Sequence, residues 1–505
     1  MKNLNFYPIA LALALTATTM IACKDEDNMP VIETPGMTPE ASFTALAEGN
    51  QLIYFEDGNL AAPASMVSIT GVGSGESIIS IDYRPATGQL YGLSSGSRLY
   101  IINENSGVAT PLGMAPFTPA IEGTMASLDF NPTVDRIRLV SETGQNLRLH
   151  PETGLVVVID GSINGGMNPK IGAVAYNNSV SGATATILFD IDIATDKLYQ
   201  QVPPNDGGLV EVGDLGVDFQ NLTDMDILAD NSLAMAVNRV DTETRLYTID
   251  LSSGSASWVG VFTQPVISLA FKTDPIAYAA DAQGMFYRFN PMDPKPTMVE
   301  FKGLNMGEKI VGLDFRPVNG QLLAISSMSQ LYSVNPSNGT LTAIGTPLMP
   351  MMEGDVAGFD FNPTVDRIRL VTNTGQNLRL HPDLGTVVAT DGRLNPGVPM
   401  VSAAAYANNI AGATTTTLFV IDHATGIFFK QIPPNDGVLV PVGSLGVTVN
   451  SQNGFDIGGN SGGAYAVFTV GSNSGVYSID LMTGGATKVS DLSFSPVAMA
   501  LGLGF

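Results

Sequence analysis

Cysteine is all but missing from this 505-residue chain. Cys23 is the only one, so no intramolecular disulfide can form. Histidine is nearly as scarce: His150, His381 and His423 are too few and too scattered to suggest a zinc site. Charged residues are only 14% of the chain, and no amphipathic helical run of useful length follows the N-terminal leader. Positive charge is short as well. Lys and Arg number 23 against 47 Asp and Glu, a net charge of −24, so a polyanion such as nucleic acid would be repelled. Nucleophile elbows, phosphate loops and calcium loops of the form D-x-D-x-D-G are absent. The chain therefore calls for no catalytic residue, no metal and no cofactor. Its plentiful carboxylates leave a glycosidase-like pair open but single none out.

What is abundant is turn chemistry, with 54 Gly and 31 Pro. The chain is also a duplication. Asp129–Pro151, DFNPTVDRIRLVSETGQNLRLHP, returns as Asp360–Pro382 with Ser141 replaced by Thr372 and Glu142 by Asn373. A near-copy at this distance makes repeats the first thing to read. Residues 41–273 and 274–505 are the two units. Inside each runs a smaller period of four short strands, clearest in IISIDYRP, TGQLYGLSS, SRLYIINENSG and VATPLG between Ile78 and Gly113. Four-stranded units at this spacing read as β-propeller blades. The fold class is all-β, about ten blades in two homologous five-blade halves.

How the ring closes is less plain. Phe43–Phe55 lacks a first strand, and Pro496–Phe505 is a first strand with nothing after it; together they would complete a blade. Only Lys272-Thr273-Asp274-Pro275 separates the strand Val266–Phe271 from the next, a hairpin-like length that spans at most about 14 Å. This favours one continuous ten-bladed ring. Two five-bladed rings are the alternative.

Residues 1–22 carry Lys2, a short apolar core at Ile9–Leu15 and Met20-Ile21-Ala22 before Cys23. The apolar core is too short to span a bilayer. The pattern resembles the lipobox of bacterial lipoproteins, which implies cleavage before Cys23, acylation of that residue and a membrane partner through the lipid. Lys24-Asp25-Glu26-Asp27 is similar to the export signal of Bacteroidota surface lipoproteins. It implies an outer-membrane anchor exposed at the cell surface, with a periplasm-facing anchor as the alternative. Residues 23–40 then read as an acidic, Pro-rich tether.

The repeated stretch also carries the candidate site. In the hairpin Asp135–His150, the three-residue loop Glu142-Thr143-Gly144 sets Leu139 opposite Leu147 and so Arg138 opposite Arg148. Arg136, Arg138 and Arg148 gather on one face, and Arg367, Arg369 and Arg379 repeat this, using six of the 13 arginines. Opposed like charges are destabilising unless something anionic intervenes. Either Asp129 and Asp135, with Asp360 and Asp366, neutralise the clusters as structural partners, or the arginines bind an anionic ligand. Asp82, Asp129, Asp226, Asp314, Asp360 and Asp456 recur in first strands, where they would line the central channel or bond blade to blade.

The motifs IDYRPATGQLYGL, FNPTVDRIRLV, TGQNLRLHP, GATxTxLF and QxPPNDG together resemble the bacterial family catalogued as domain of unknown function 4394, which both units match, although Ala185 and Ile187 break the GATTTTL run that the second unit keeps. That resemblance implies no activity. The expectation is a surface-tethered binding module for a glycan, a protein or a small anion. A hydrolase or lyase of extracellular polysaccharide and an adhesion scaffold without a small ligand are the alternatives.

Overall fold

The computed structural model describes residues 34–220 and 222–505. The leader, Cys23 and the start of the tether lie outside the described residues. From Phe43 to Leu501 the chain forms ten four-stranded antiparallel sheets, the ten blades that the repeats predict.

Each blade buries all or nearly all of its innermost strand and leaves its outermost one the most exposed. Ile171–Tyr176 is buried at every position, whereas Leu209–Asp214 in the same blade is half-buried or exposed. Apolar side chains fill the space between successive blades. One such layer joins Tyr91 and Leu93 of one blade to Leu128, Phe130 and Ile137 of the next. Tyr91 and Phe130 meet edge to face, their centroids 4.9 Å apart. A blade is therefore apolar on both faces and is stable only with a neighbour on each side.

Closure departs from the favoured single ring. Val266–Ala270 pairs with Phe43–Ala47, so the first unit closes on itself. Pro496–Leu501 pairs with Ala277–Asp281 and closes the second. The inner strands Ile78–Tyr83, Ala126–Asn131, Ile171–Tyr176, Thr223–Ile227 and Val266–Ala270 contact one another in a closed circle of five. Ile310–Arg316, Ala357–Asn362, Val401–Tyr406, Gly454–Ile457 and Pro496–Leu501 form the other. The molecule is two five-bladed propellers in tandem. The four-residue link does not make a hairpin, because the strand that would complete it is already occupied by the chain's last strand.

The rings meet along a seam. Arg84 Nη1 donates to Gly320 O at 2.9 Å, Tyr278 Oη to Ala86 O at 2.9 Å, and Gly504 N to Thr87 O at 2.8 Å. Lys272 on the link pairs with Glu104.

Candidate functional site

The arginine hairpins have the register that their loop requires, with Arg138 opposite Arg148 and Arg369 opposite Arg379. Gly144 takes the left-handed position, φ 88°. The partners differ from expectation. Arg138 is only 2% exposed; its Nη1 donates to Asp160 Oδ2 at 2.5 Å and Asn146 Oδ1 at 2.7 Å, and its Nη2 to Asn205 Oδ1 at 2.8 Å. Arg148 grips the same Asp160 side-on at 2.7 and 2.9 Å. Asp391, Asn377 and Asn435 repeat this around Arg369 and Arg379. Asn205 and Asn435 belong to the QVPPNDG and QIPPNDG turns, so each cluster staples two blades together. Arg136 and Arg367 donate to the carbonyls of Asp135 and Asp366 at 2.7 Å.

Asp129 and Asp135, with Asp360 and Asp366, are not the neutralising groups. Asp129 stands opposite Arg138 in register, yet its short side chain turns to the next blade and accepts Tyr176 N at 3.1 Å; Asp360 accepts Tyr406 N at 2.9 Å. Asp135 pairs with Arg84 of the preceding blade at 2.8 and 2.5 Å, and Asp366 with Arg316 at the same distances. The copies are unequally covered. Asp135 and Glu152 around Arg84 are buried or nearly so under Gly320 of the other ring, whereas Asp383, beside Arg316, is 58% exposed.

The channel carboxylates bond blade to blade. Asp82 accepts Tyr83 N at 2.7 Å and Phe130 N at 2.9 Å, and Asp226 accepts Ile227 N and Phe271 N at 2.6 Å. Asp314 and Asp456 follow the same rule in the second ring. Asp82, Asp129 and Asp226 also bring one oxygen each within 4.8 Å of the others, as do Asp314, Asp360 and Asp456. Three converging carboxylate oxygens are able to hold a hard cation. The first ring adds Asp224, bonded to Ser127 and Ser268; Gly358 and Gly454 replace Ser127 and Asp224 in the second.

Along the seam lie three adjoining cavities. One, of about 370 Å³, is lined by Thr87, Glu104, Asn105, Lys272, Asn460 and Phe505. A second, of about 270 Å³, shares Glu104, Asn105 and Lys272 with it and adds Tyr54 and Val67. The third, of about 360 Å³, shares Thr273–Ile276 of the link with the first and is walled by Ser179, Ser181 and Arg288.

A family model described as a domain of unknown function (DUF4394) matches residues 51–270 and 285–501, one match per ring. The chain belongs to the DUF4394 family. No curated protein matches its sequence. Among solved structures it is similar to a candidate 6-phosphogluconolactonase from Bacteroides fragilis, at 16% identity and a TM-score of 0.26, covering 65% of this chain and 96% of that one. It is also similar to the Dos1 propeller, at 12% identity, TM-score 0.25, 67% of this chain and 91% of that one. A third is the extracellular domain of a candidate one-component system from B. thetaiotaomicron, at 10% identity, TM-score 0.27, 90% of this chain and 65% of that one.

Reading the DUF4394 sequence for sites missed Asp160 and Asp391, which follow the fourth strand of each stapled blade and carry no motif. Arg84 and Arg288 were missed too, because their surroundings come from the next blade and from across the seam. Asp160 and Asp391 alone had a signal: each begins a DG dipeptide one strand beyond the arginines.

The channel sets a pH dependence. Burial pushes Asp224, Asp226 and Asp456 up to about 7. Burial, and then neighbouring carboxylates, push Asp82, Asp129, Asp314 and Asp360 well above the usual range. Folded groups with raised pKa hold protons that the unfolded chain releases. Their contribution is full below about pH 4 and is lost as pH rises through about 7. His150, pushed down to about 4 by burial and by Arg136 and Arg84, opposes this as one group against seven. Thermal melts should therefore show the midpoint falling between pH 5 and pH 8. A flat profile would mean that something other than protons balances the carboxylates, and a midpoint lowered at pH 8 by a chelator would identify it as a cation.

Proposed function

We propose that this chain is a cell-surface binding protein, anchored through Cys23, that holds an extended glycan in the groove along the seam of its two propellers. The observation that carries the reading is the run of three adjoining cavities, of which the 370 and 360 Å³ ones have walls from both rings and the third continues onto the first ring. Binding sites favour such junctions. The walls offer amide and hydroxyl groups at Asn105, Asn460 and Ser179, which suit sugar hydroxyls, and half-buried rings at Tyr54 and Phe505. Phe505 is held by Tyr465, their centroids 5.3 Å apart. Rings fixed in this way give contact area at little cost in conformational freedom.

A polysaccharide panel tests it. The purified chain should bind at least one member without releasing reducing ends, and Asn105→Trp, which fills the exposed rim of the 370 Å³ cavity, should abolish that binding without lowering the melting midpoint. Cells carrying the chain should retain the labelled polymer at their surface, and Cys23→Ala cells should not, although purified Cys23→Ala protein still binds. Release of new reducing ends would replace binding by hydrolysis, and full binding by Asn105→Trp would move the site away from the seam.

A further inference from the structure

The arginines of this protein share a habit. Arg84, Arg148, Arg316 and Arg379 each turn the edge carrying Nε and Nη2 to a carboxylate, at distances of 2.5–3.0 Å. Side-on pairing of this kind is the strongest geometry open to a guanidinium. Arg288 breaks the habit. It is 6% exposed, and its Nη1 donates to Ser337 O at 2.6 Å. Its Nε and Nη2 donate to nothing among the described residues. Burial lowers its pKa, opposed only by Tyr278, with no acidic side chain contributing.

A buried cation without a counter-charge is expensive. The first ring does not have one here. Register places Arg288 and Tyr278 where the first ring has the uncharged pair Tyr54 and Thr44. Arg288 packs onto bare backbone: a Cβ on Gly182 would come within 1.3 Å of its Nη1, whereas around the equivalent Gly412 nothing lies within 4 Å. The guanidinium forms a wall of the 360 Å³ seam cavity, beside Ser179, Ser181 and Thr297. Lys295, also on that wall, is engaged with Asp293 at 2.7 Å. Asp274 on the exposed link lines the cavity and makes no ion pair among the described residues.

We infer that this cavity is a subsite for the carboxylate of an acidic sugar, paired with Arg288 while the hydroxyls of Ser179 and Thr297 meet the sugar ring. The inference deepens the glycan reading of the seam and rests on it. The bound carboxylate supplies the counter-charge that the chain withholds. Asp274 is a competitor at the mouth of the cavity, and removing its charge favours the ligand.

Calorimetric titration of the full chain with a galacturonate tetramer and with the matching neutral galactose tetramer tests this. The acidic oligomer should bind roughly tenfold or more tightly, the scale of one charge-assisted pair. Arg288→Met should erase that preference while leaving the neutral oligomer unchanged, and Asp274→Asn should enlarge it. Should Arg288→Met fail to fold, Ser179→Glu places a negative charge in the cavity without touching Arg288 and should erase the preference as well. Equal binding of both oligomers by the wild type, or a preference that survives these changes, overturns the inference and leaves the glycan reading standing. Binding of neither oligomer, with no polysaccharide bound from the panel, removes both.

Discussion

Deleting Pro496–Phe505 is expected to unfold the second propeller and leave the first folded. This segment is the innermost strand of its blade, paired to Ala277–Asp281 and packed against the inner strands Ile310–Arg316 and Gly454–Ile457. Val497, Met499, Leu501 and Leu503 are all buried. At about 1.5–3 kcal/mol for each large apolar side chain, their loss rivals the 5–15 kcal/mol that typically holds a domain together. Asp456 would also lose the Leu501 N–H, which it accepts at 2.6 Å. The first ring has its own closure, Val266–Ala270 on Phe43–Ala47, and loses only seam contacts such as Gly504 to Thr87. Calorimetry should show one cooperative transition surviving, and limited proteolysis should leave a fragment ending near the link. Complete loss of cooperative unfolding would mean that the rings do not fold independently.

That outcome turns on a feature the sequence could not reveal. Val266–Ala270 and Pro496–Leu501 are equivalent inner strands, and Phe43–Ala47 and Ala277–Asp281 are equivalent second strands. Exchanging partners converts one ring of ten into two rings of five while every strand keeps a partner of the same kind. The same apolar pattern is satisfied either way, so blades and strand order were legible and closure was not. The length of the link misled for the same reason: four residues suit a hairpin, but they equally suit a step between rings that touch beside it.

The arginine hairpins show a similar division. Loop length fixed which residues stand opposite each other, and the structure has that register. It did not fix which carboxylate answers them. Asp160 lies beyond a register shift between Arg148 and Leu149, where strict alternation no longer says which face a side chain takes. Arg288 was harder still, since its neighbours Gly182 and Ser337 lie far from it in the chain and meet it only in the folded molecule.

Arg138→Met is expected to destabilise the first propeller by about 3–5 kcal/mol, the cost of removing one partner from a buried ion pair. Asp160 would keep Arg148, but the side-chain oxygen of buried Asn146 would lose its guanidinium donor, and exposed Asn205 would lose the bond that fixes its turn. Asn205 anchors the turn that ties this blade to the next, so the loss falls on a blade-to-blade joint. Arg369→Met removes the same contacts to Asp391, Asn377 and Asn435 and should cost the second ring a similar amount. One neighbour differs. Asp190 is wholly buried with neither oxygen bonded; burial holds its pKa well above the usual range, and the Arg138 charge opposes that. The second ring has Val420 at this place. Arg138→Met should therefore be the worse of the two, and adding Asp190→Val should recover the difference. Urea melts of all three variants, with and without sulfate, decide the matter. If the hairpins were open anion sites, removing an arginine would relieve repulsion, stability would hold, and a sulfate-induced shift in the wild type would vanish. A stable Arg138→Met protein with that lost shift would overturn the staple and return these arginines to ligand binding.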